Sequence, residues 1–399
     1  MSIRLAHISD THLGYRTAGR SEPETGRNQR TADVDRAFTH TIDDILRQKV
    51  DLVIHSGDVF HHARPTWQSM RHFIRQMRRL EQARIPTLVI AGNHDTPRVR
   101  TGGSAYSVLE LALPDILFAC DYESFEIDAP FAHLNLRVQA IPHGALTNPD
   151  PPIVTRPVSG KFNLVTTHGI APGALADGYL SEPGEQQLPS NLVTFPDVDY
   201  FALGHIHLSD QMASRAWYAG STERFGWGDE LATPGYRMVE FSTPGAEPVV
   251  THQSIATRPM IRLKPEDASG RNARELADAI LQQALKLNDP SAMARLTLMG
   301  AERAVRREVQ TILRRESAPL VWSLDLSPER PSFVAHGSMP EMDEGPMDLH
   351  TLFAEFVAAR RPGYPSETFA TTLLERGNRA LTDALLAGET PLPEEDNVT

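Results

Sequence analysis

Five short apolar runs in this chain stop on residues that bind metals or move protons. Asp10-Thr11-His12 follows Ile3 to Ser9, Gly57-Asp58 follows Asp51 to Ser56, and Gly92-Asn93-His94-Asp95 follows Pro86 to Ala91. Further on, Lys161 to Thr167 runs into His168-Gly169, and Asp199 to Leu203 into Gly204-His205-Ile206-His207. Side chains two apart on extended backbone project the same way, so Asp10 with His12, and His205 with His207, can address one cation. Asp10, His12, Asp58, Asn93, His168, His205 and His207 are too many ligands for a single ion. Two divalent cations that share Asp58 as a bridge use all seven.

A lone histidine is more often a packed structural residue than a ligand, and His7, His55, His133 and His143 take that reading. Ligand types at the ends of five successive runs do not fit it. Mixed carboxylate, amide and imidazole donors suit Mn²⁺, with Fe or Zn²⁺ as alternatives, better than Ca²⁺ or Mg²⁺, which prefer oxygen shells. Two such ions roughly 3.5–4 Å apart serve the attacking and leaving oxygens of a displacement at phosphorus, so phosphoester hydrolysis is the expected reaction. His94 is not needed to complete the ligand set; it is placed to contact the phosphate and protonate the leaving oxygen, with Asp95 orienting its ring.

Elements that bring five strand ends together follow from the pattern. Apolar runs alternate with helical periodicities at Val34, Phe38, Ile42, Ile45 and Leu46, and again from about Thr66 to Gln82. Strand, helix, strand, helix, strand implies parallel strands joined by right-handed crossovers, which puts their ends on one edge. The polar loop from Gly14 to Gln29 hangs over that edge. Short β runs from Leu117 onward supply the other half of a layered β-sandwich flanked by helices, an α/β fold, to about residue 257. From 258 to 338 a βαβαβ pattern reads as a separate small α/β domain. A Pro, Gly and acid-rich linker follows at 339–346, and 347–399 carries two helices with apolar stripes and an acidic tail. That helix pair is expected to dock on a partner, or to close on itself.

The chain has 399 residues, a formal charge of −12 and one cysteine, Cys120. No intrachain disulfide can form, no apolar run approaches the length of a membrane span, and a cytoplasmic location is expected. The charge argues against tight unaided nucleic-acid binding, but it is uneven: Arg64 to Arg100 holds eight Arg and two acids.

On Asp10-x-His12, Gly57-Asp58, Gly92-Asn93-His94-Asp95, His168-Gly169 and Gly204-His205-x-His207, residues 1 to about 255 resemble the calcineurin-like metallophosphoesterases. Gly57-Asp58-Val-Phe-His61-His62-Ala-Arg64-Pro65 is similar to the second motif of the SbcD-type DNA double-strand-break nucleases and their YhaO-like relatives. The Ser/Thr phosphatases continue that motif differently. The resemblance implies Asp10, His12, Asp58 and His207 on one metal, and Asp58, Asn93, His168 and His205 on the other. His94 becomes the catalytic histidine and His61 a second histidine near the scissile phosphate. It further implies a Mn²⁺-dependent DNA repair nuclease, a 3′–5′ exonuclease on duplex ends and an endonuclease on single strands or hairpins. The segment after 258 would be a DNA-capping domain, and the C-terminal helices would bind an SbcC-type coiled-coil ATPase, the whole acting as a homodimer. Two other readings stay open: a phosphodiesterase or phosphatase for a non-DNA phosphoester, and a non-catalytic DNA-end scaffold.

Overall fold

A computed structural model describes residues 2–17, 20–97, 103–147, 153–174, 185–327, 349–360 and 370–379. The chain begins with β1 (Ile3–Ile8), α1 (Gln29–Gln48), β2 (Leu52–His55), α2 (Trp67–Gln82), β3 (Thr87–Ile90), α3 (Tyr106–Ala112) and β4 (Ile116–Ala119). It continues through β5 (Phe125–Ile127), β6 (Leu136–Ile141), α4 (His143–Thr147), β7 (Phe162–His168), β8 (Tyr200–Gly204), β9 (Gln211–Ala213) and β10 (Ala216–Tyr218). Two antiparallel strands, β11 (Gly235–Phe241) and β12 (Val249–Ser254), return the chain to the first sheet.

One six-stranded sheet has the order β12-β11-β1-β2-β3-β4, the other β5-β6-β7-β8-β10-β9. β1 to β4 run parallel, and so do β6, β7 and β8, so the ends of β1, β2, β3, β7 and β8 fall on the same side of the sandwich. Leu5, Leu52, Ile54, Leu88 and Ile90 from the first sheet meet Leu136, Val138, Leu164 and Tyr200 from the second in one buried layer. The other face of the first sheet packs on α1 and α2 through Val34, Phe38, Ile42, Phe73 and Met77. This is the two-sheet α/β sandwich flanked by helices that the pattern implied.

α1 starts earlier than its apolar period suggests. Asn28 caps it, its side chain accepting from the backbone N–H groups of Arg30 and Thr31, and the first turn buries Gln29, Arg30 and Asp33. Those polar residues break the apolar pattern because they face a salt-bridge cluster rather than a hydrocarbon layer.

From 258 the chain forms β13 (Met260–Arg262), β14 (Glu266–Asp267), α5 (Ala273–Leu287), β15 (Asp289–Leu296), β16 (Leu298–Met299), α6 (Arg303–Glu316) and β17 (Val321–Leu326). The parallel sheet β13-β15-β17 buries Leu276, Ile280, Leu296, Val309, Leu313 and Leu324 in a core of its own. This module belongs to the same compact unit as the sandwich, Met1–Glu329. It is tied there by Arg258, whose guanidinium is bidentate on Asp33 at 2.7 and 3.0 Å and lies over the Trp322 ring.

Arg330–Thr399 form a second unit, and the expected 339–346 linker and acidic tail lie outside the described residues. In that unit α7 (Leu349–Arg360) packs on the helix at 370–379. Gly377 sits so close to the Phe353 ring that a Cβ there would meet it at 2.1 Å, and His350 Nδ1 lies 3.1 Å from Asn378 Oδ1. No described helix is long and apolar enough to cross a membrane.

Candidate metal centre

The strand ends are held in register by backbone bonds: Asp10 N–H to the Gly57 carbonyl, His12 N–H to the Asp58 carbonyl, both at 3.0 Å, and Gly169 N–H to Gly204 at 3.2 Å. The chain turns so sharply there that Asp10, His12, Asp58 and His205 adopt positive φ of 51°, 41°, 54° and 105°. Two glycines make this packing possible. A Cβ on Gly92 would lie 2.1 Å from Asp58 Oδ1, and one on Gly204 would lie 2.0 Å from the Ser56 carbonyl.

All seven strand-end candidates converge. Ligand atoms of Asp10, Asp58 and His168 lie within 4.8 Å of one another, as do those of Asp10, His12 and His207. Asn93 Oδ1 joins them, 2.9 Å from His168 Nε2 and 3.2 Å from His205 Nδ1. The hydrogen-bond roles show what this space suits. His168 Nδ1 donates to the Ser56 carbonyl at 2.8 Å, so Nε2 turns a lone pair toward Asn93 Oδ1 and, at 3.4 Å, Asp58 Oδ2. His207 repeats the arrangement: Nδ1 donates to Asp229 at 3.1 Å and Nε2 lies 3.2 Å from His12 Nε2, which is 3.5 Å from Asp58 Oδ2. Acceptors packed against acceptors need a proton or a cation between them, and Asp58 lies between the two groups.

The comparisons agree with that chemistry. The family model for calcineurin-like phosphoesterases matches residues 3–209, a little over half of the 399-residue chain. The chain belongs to that family. Among curated relatives, the DNA double-strand break repair protein Mre11 of Saccharolobus solfataricus is 30% identical over 64% of this chain and 65% of its own length. Mre11 of Haloferax volcanii is 31% identical over 64% of this chain, and the match spans 53% of that relative. Mre11 of Thermoplasma acidophilum is 25% identical over 89% of this chain and 90% of its own. The chain thus spans less than two thirds of the first two relatives.

Beside the phosphoesterase centre stand two further imidazoles. Ligand atoms of His12, His61 and His94 lie within 4.8 Å of one another, the His61 and His94 rings are stacked at 5.3 Å, and His12 Nδ1 is 3.4 Å from His61 Nδ1. His94 Nδ1 faces the His61 carbonyl at 2.9 Å, and its backbone N–H donates to Asp58 Oδ1 at 2.9 Å. With Nδ1 as the donor to that carbonyl, Nε2 is the acceptor nitrogen of the ring. Asp95 does not take the orienting place expected beside this ring. Its oxygens accept from the backbone of Val59, Phe60 and Gly92 at 2.9 to 3.1 Å, which locks the β2 and β3 end loops together. A carboxylate on the first turn after a strand finds three unsatisfied N–H groups nearer than the neighbouring imidazole.

Electrostatics in the cluster follow from burial and close charges. Burial raises Asp95, and the charge of Asp58 adds to it, to about 6 against the pull of its backbone donors. Burial and the neighbouring His94 and His62 push His61 down to about 4, so it is neutral at pH 7. Burial opposes charge on His207, but Asp229 outweighs it and carries the imidazole to about 9. His168 is raised the same way by Asp58, whose own carboxyl is held well below the usual range despite burial. Protons on His168 and His207 therefore stand where cations would.

Sequence reasoning missed the groups that hold the ligands. Asp229 on His207, Glu185 Oε1 at 3.2 Å from His205 Nε2, and Phe225, whose ring lies 4.7 Å from His12 and 5.2 Å from His207, all come from irregular loops. The one local signal that could have pointed there is the Gly226-Trp227-Gly228-Asp229 run, which marks a tight loop and not a site.

Proposed function

We propose that this chain is a two-metal-dependent DNA nuclease of double-strand-break repair. The observation that carries the reading is His94, anchored through Nδ1 beside the Asp58 side of a converged seven-residue donor set. Asp10, His12, Asp58 and His207 would hold one divalent ion, and Asp58, Asn93, His168 and His205 the other. Mn²⁺ suits the donors best, with Fe or Zn²⁺ next. Bound there, such ions supply Lewis acidity to the phosphate and acidify water. The chain's own residues do the rest: His94 Nε2 delivers a proton to the leaving oxygen, neutral His61 contacts a phosphate oxygen from the stacked position, and Asp95 keeps both loops in place.

DNA as the substrate rests on the relatives named for break repair and on the module at 258–327 that a small-substrate phosphatase does not need. Arg71, Arg75 and Arg78 stand exposed along one side of α2, at helical spacing, as contacts for backbone phosphate; Arg98 and Arg100 lie outside the described residues. Processing of duplex ends and hairpins, an SbcC-type ATPase held by the C-terminal helices, a capping role for 258–338 and a homodimer complete the proposal. A Mn²⁺ panel of duplex, hairpin and single-stranded DNA beside a small diester, with wild type and His94→Ala, tests it. Cleavage of the diester alone would sink the DNA assignment.

A further inference from the structure

The loop that joins β10 to β11, residues 219–234, touches both the site and the 258–327 module. Asp229 receives His207 Nδ1 at 3.1 Å on both oxygens, and its Oδ2 also accepts the Phe225 N–H at 2.9 Å and the Gly226 N–H at 3.4 Å. That carboxylate therefore fixes both the ring orientation of His207 and the turn on which it sits. Phe225 closes the same turn over the rings of His12 and His207, and Tyr15 donates to the Phe225 carbonyl.

On either side of Asp229, at Trp227 and Glu230, the loop is gripped by the module. Glu230 takes a forked contact from Arg262 of β13, at 2.7 and 2.9 Å, and Trp227 lies under the Arg295 guanidinium of β15 at 4.7 Å. Arg224, at the near end of the loop, donates to Thr257 at 3.0 Å. Short of breaking those contacts, β13 and β15 cannot shift without moving the turn that carries Asp229.

We propose that Asp229 is the positioning residue for His207 and that this loop couples the 258–327 module to one of the two metal positions, the one with His207. Displacement of the module, by a substrate end or a partner, loosens that position and leaves the Asn93, His168 and His205 side unchanged. The inference rests on the reading of His207 as a metal ligand.

The test is Mn²⁺ binding to the full chain, followed by calorimetric titration and by the electron paramagnetic resonance signal, which distinguishes a coupled pair from a single ion. Asp229→Asn is expected to weaken one of two sites by roughly 10–100-fold, the cost typical of losing a partner that orients a ligand histidine. The paired signal then gives way to that of one isolated ion. The double variant Arg262→Ala/Arg295→Ala, whose changes lie outside the centre, is expected to weaken the same site roughly fivefold with the other unchanged. Wild-type affinity at both sites in Asp229→Asn overturns the positioning role, and equal weakening of both overturns its selectivity. Wild-type affinity in the double variant overturns the coupling, and this arm stands even if Asp229→Asn does not fold. A wild-type chain that binds no pair of ions removes the metal reading itself.

Discussion

His168 Nε2 lies 2.9 Å from Asn93 Oδ1 while the other nitrogen of the same ring donates to the Ser56 carbonyl. A lone pair aimed at an amide oxygen needs either a proton or a cation between them. With no cation there, the protons would sit on His168 and on His207, each raised to about 9. Both must leave when cations enter, so Mn²⁺ affinity is expected to climb between pH 6 and 9, by up to about tenfold per unit for each proton displaced. The sign for stability is opposite. A histidine whose pKa is raised by folding stabilises the fold fully below 6.5 and loses that contribution as pH rises through its folded value. Thermal melting in chelator should therefore decline from pH 6.5 to 9; a flat profile there, with flat Mn²⁺ affinity, would contradict the assignment.

His94 offers the cleanest separation of binding from chemistry. His94→Ala should lower kcat by about 10²–10⁴-fold, the usual worth of a general acid, with both Mn²⁺ equivalents retained. Loss of a metal equivalent in this variant would move His94 into the ligand set.

Asp95 is expected to behave as a structural carboxylate. Removing it leaves three buried N–H groups of two loops without an acceptor, so Asp95→Ala should cost about 2–4 kcal/mol in urea unfolding. Asp95→Asn, which keeps an acceptor oxygen, should cost less. Should Asp95→Ala unfold at wild-type urea with slowed turnover, the carboxylate acts on His94 after all.

Asp33 gives a pH test remote from the centre. Burial disfavours its charge, but hydrogen bonds and charge from Arg258, then Arg30, hold its pKa below the ordinary 3.8. Its contribution is thus complete above about pH 4 and is lost as pH falls through the lowered value. Amide hydrogen exchange across 255–262 should quicken several-fold at neutral pH in Asp33→Asn, and in wild type only in acid. Identical protection in both proteins at pH 7 would show that Arg258 does not depend on Asp33.

The strand ends were legible because each is a local feature, a short apolar run stopped by polar residues, and parallel crossovers dictate that such ends meet. The sandwich followed from the same alternation. Less legible were contacts made across distance in sequence. Asp229 and Glu185 reach histidines through loops with no period, and Arg30 and Asp33 look like surface helix residues until Arg258 is seen against them. Asp95 was misread because adjacency in sequence to His94 suggested a pair, whereas the turn directs its oxygens onto backbone. The C-terminal helices were expected to dock on a partner or to close on each other, and an apolar stripe does not distinguish a partner from the Gly377–Phe353 contact they make with each other.

The positive φ angles of Asp10, His12, Asp58 and His205 set catalysis and durability against each other. Each non-glycine residue there carries about 1–2 kcal/mol of backbone strain, which metal coordination would offset and an idle chain does not need. Laboratory evolution of this chain for heat tolerance, with no demand on turnover, should accumulate Gly or Asn at 12 and 205 before it touches the core between the sheets. A lineage that keeps the fold and sheds the chemistry would start from those two residues.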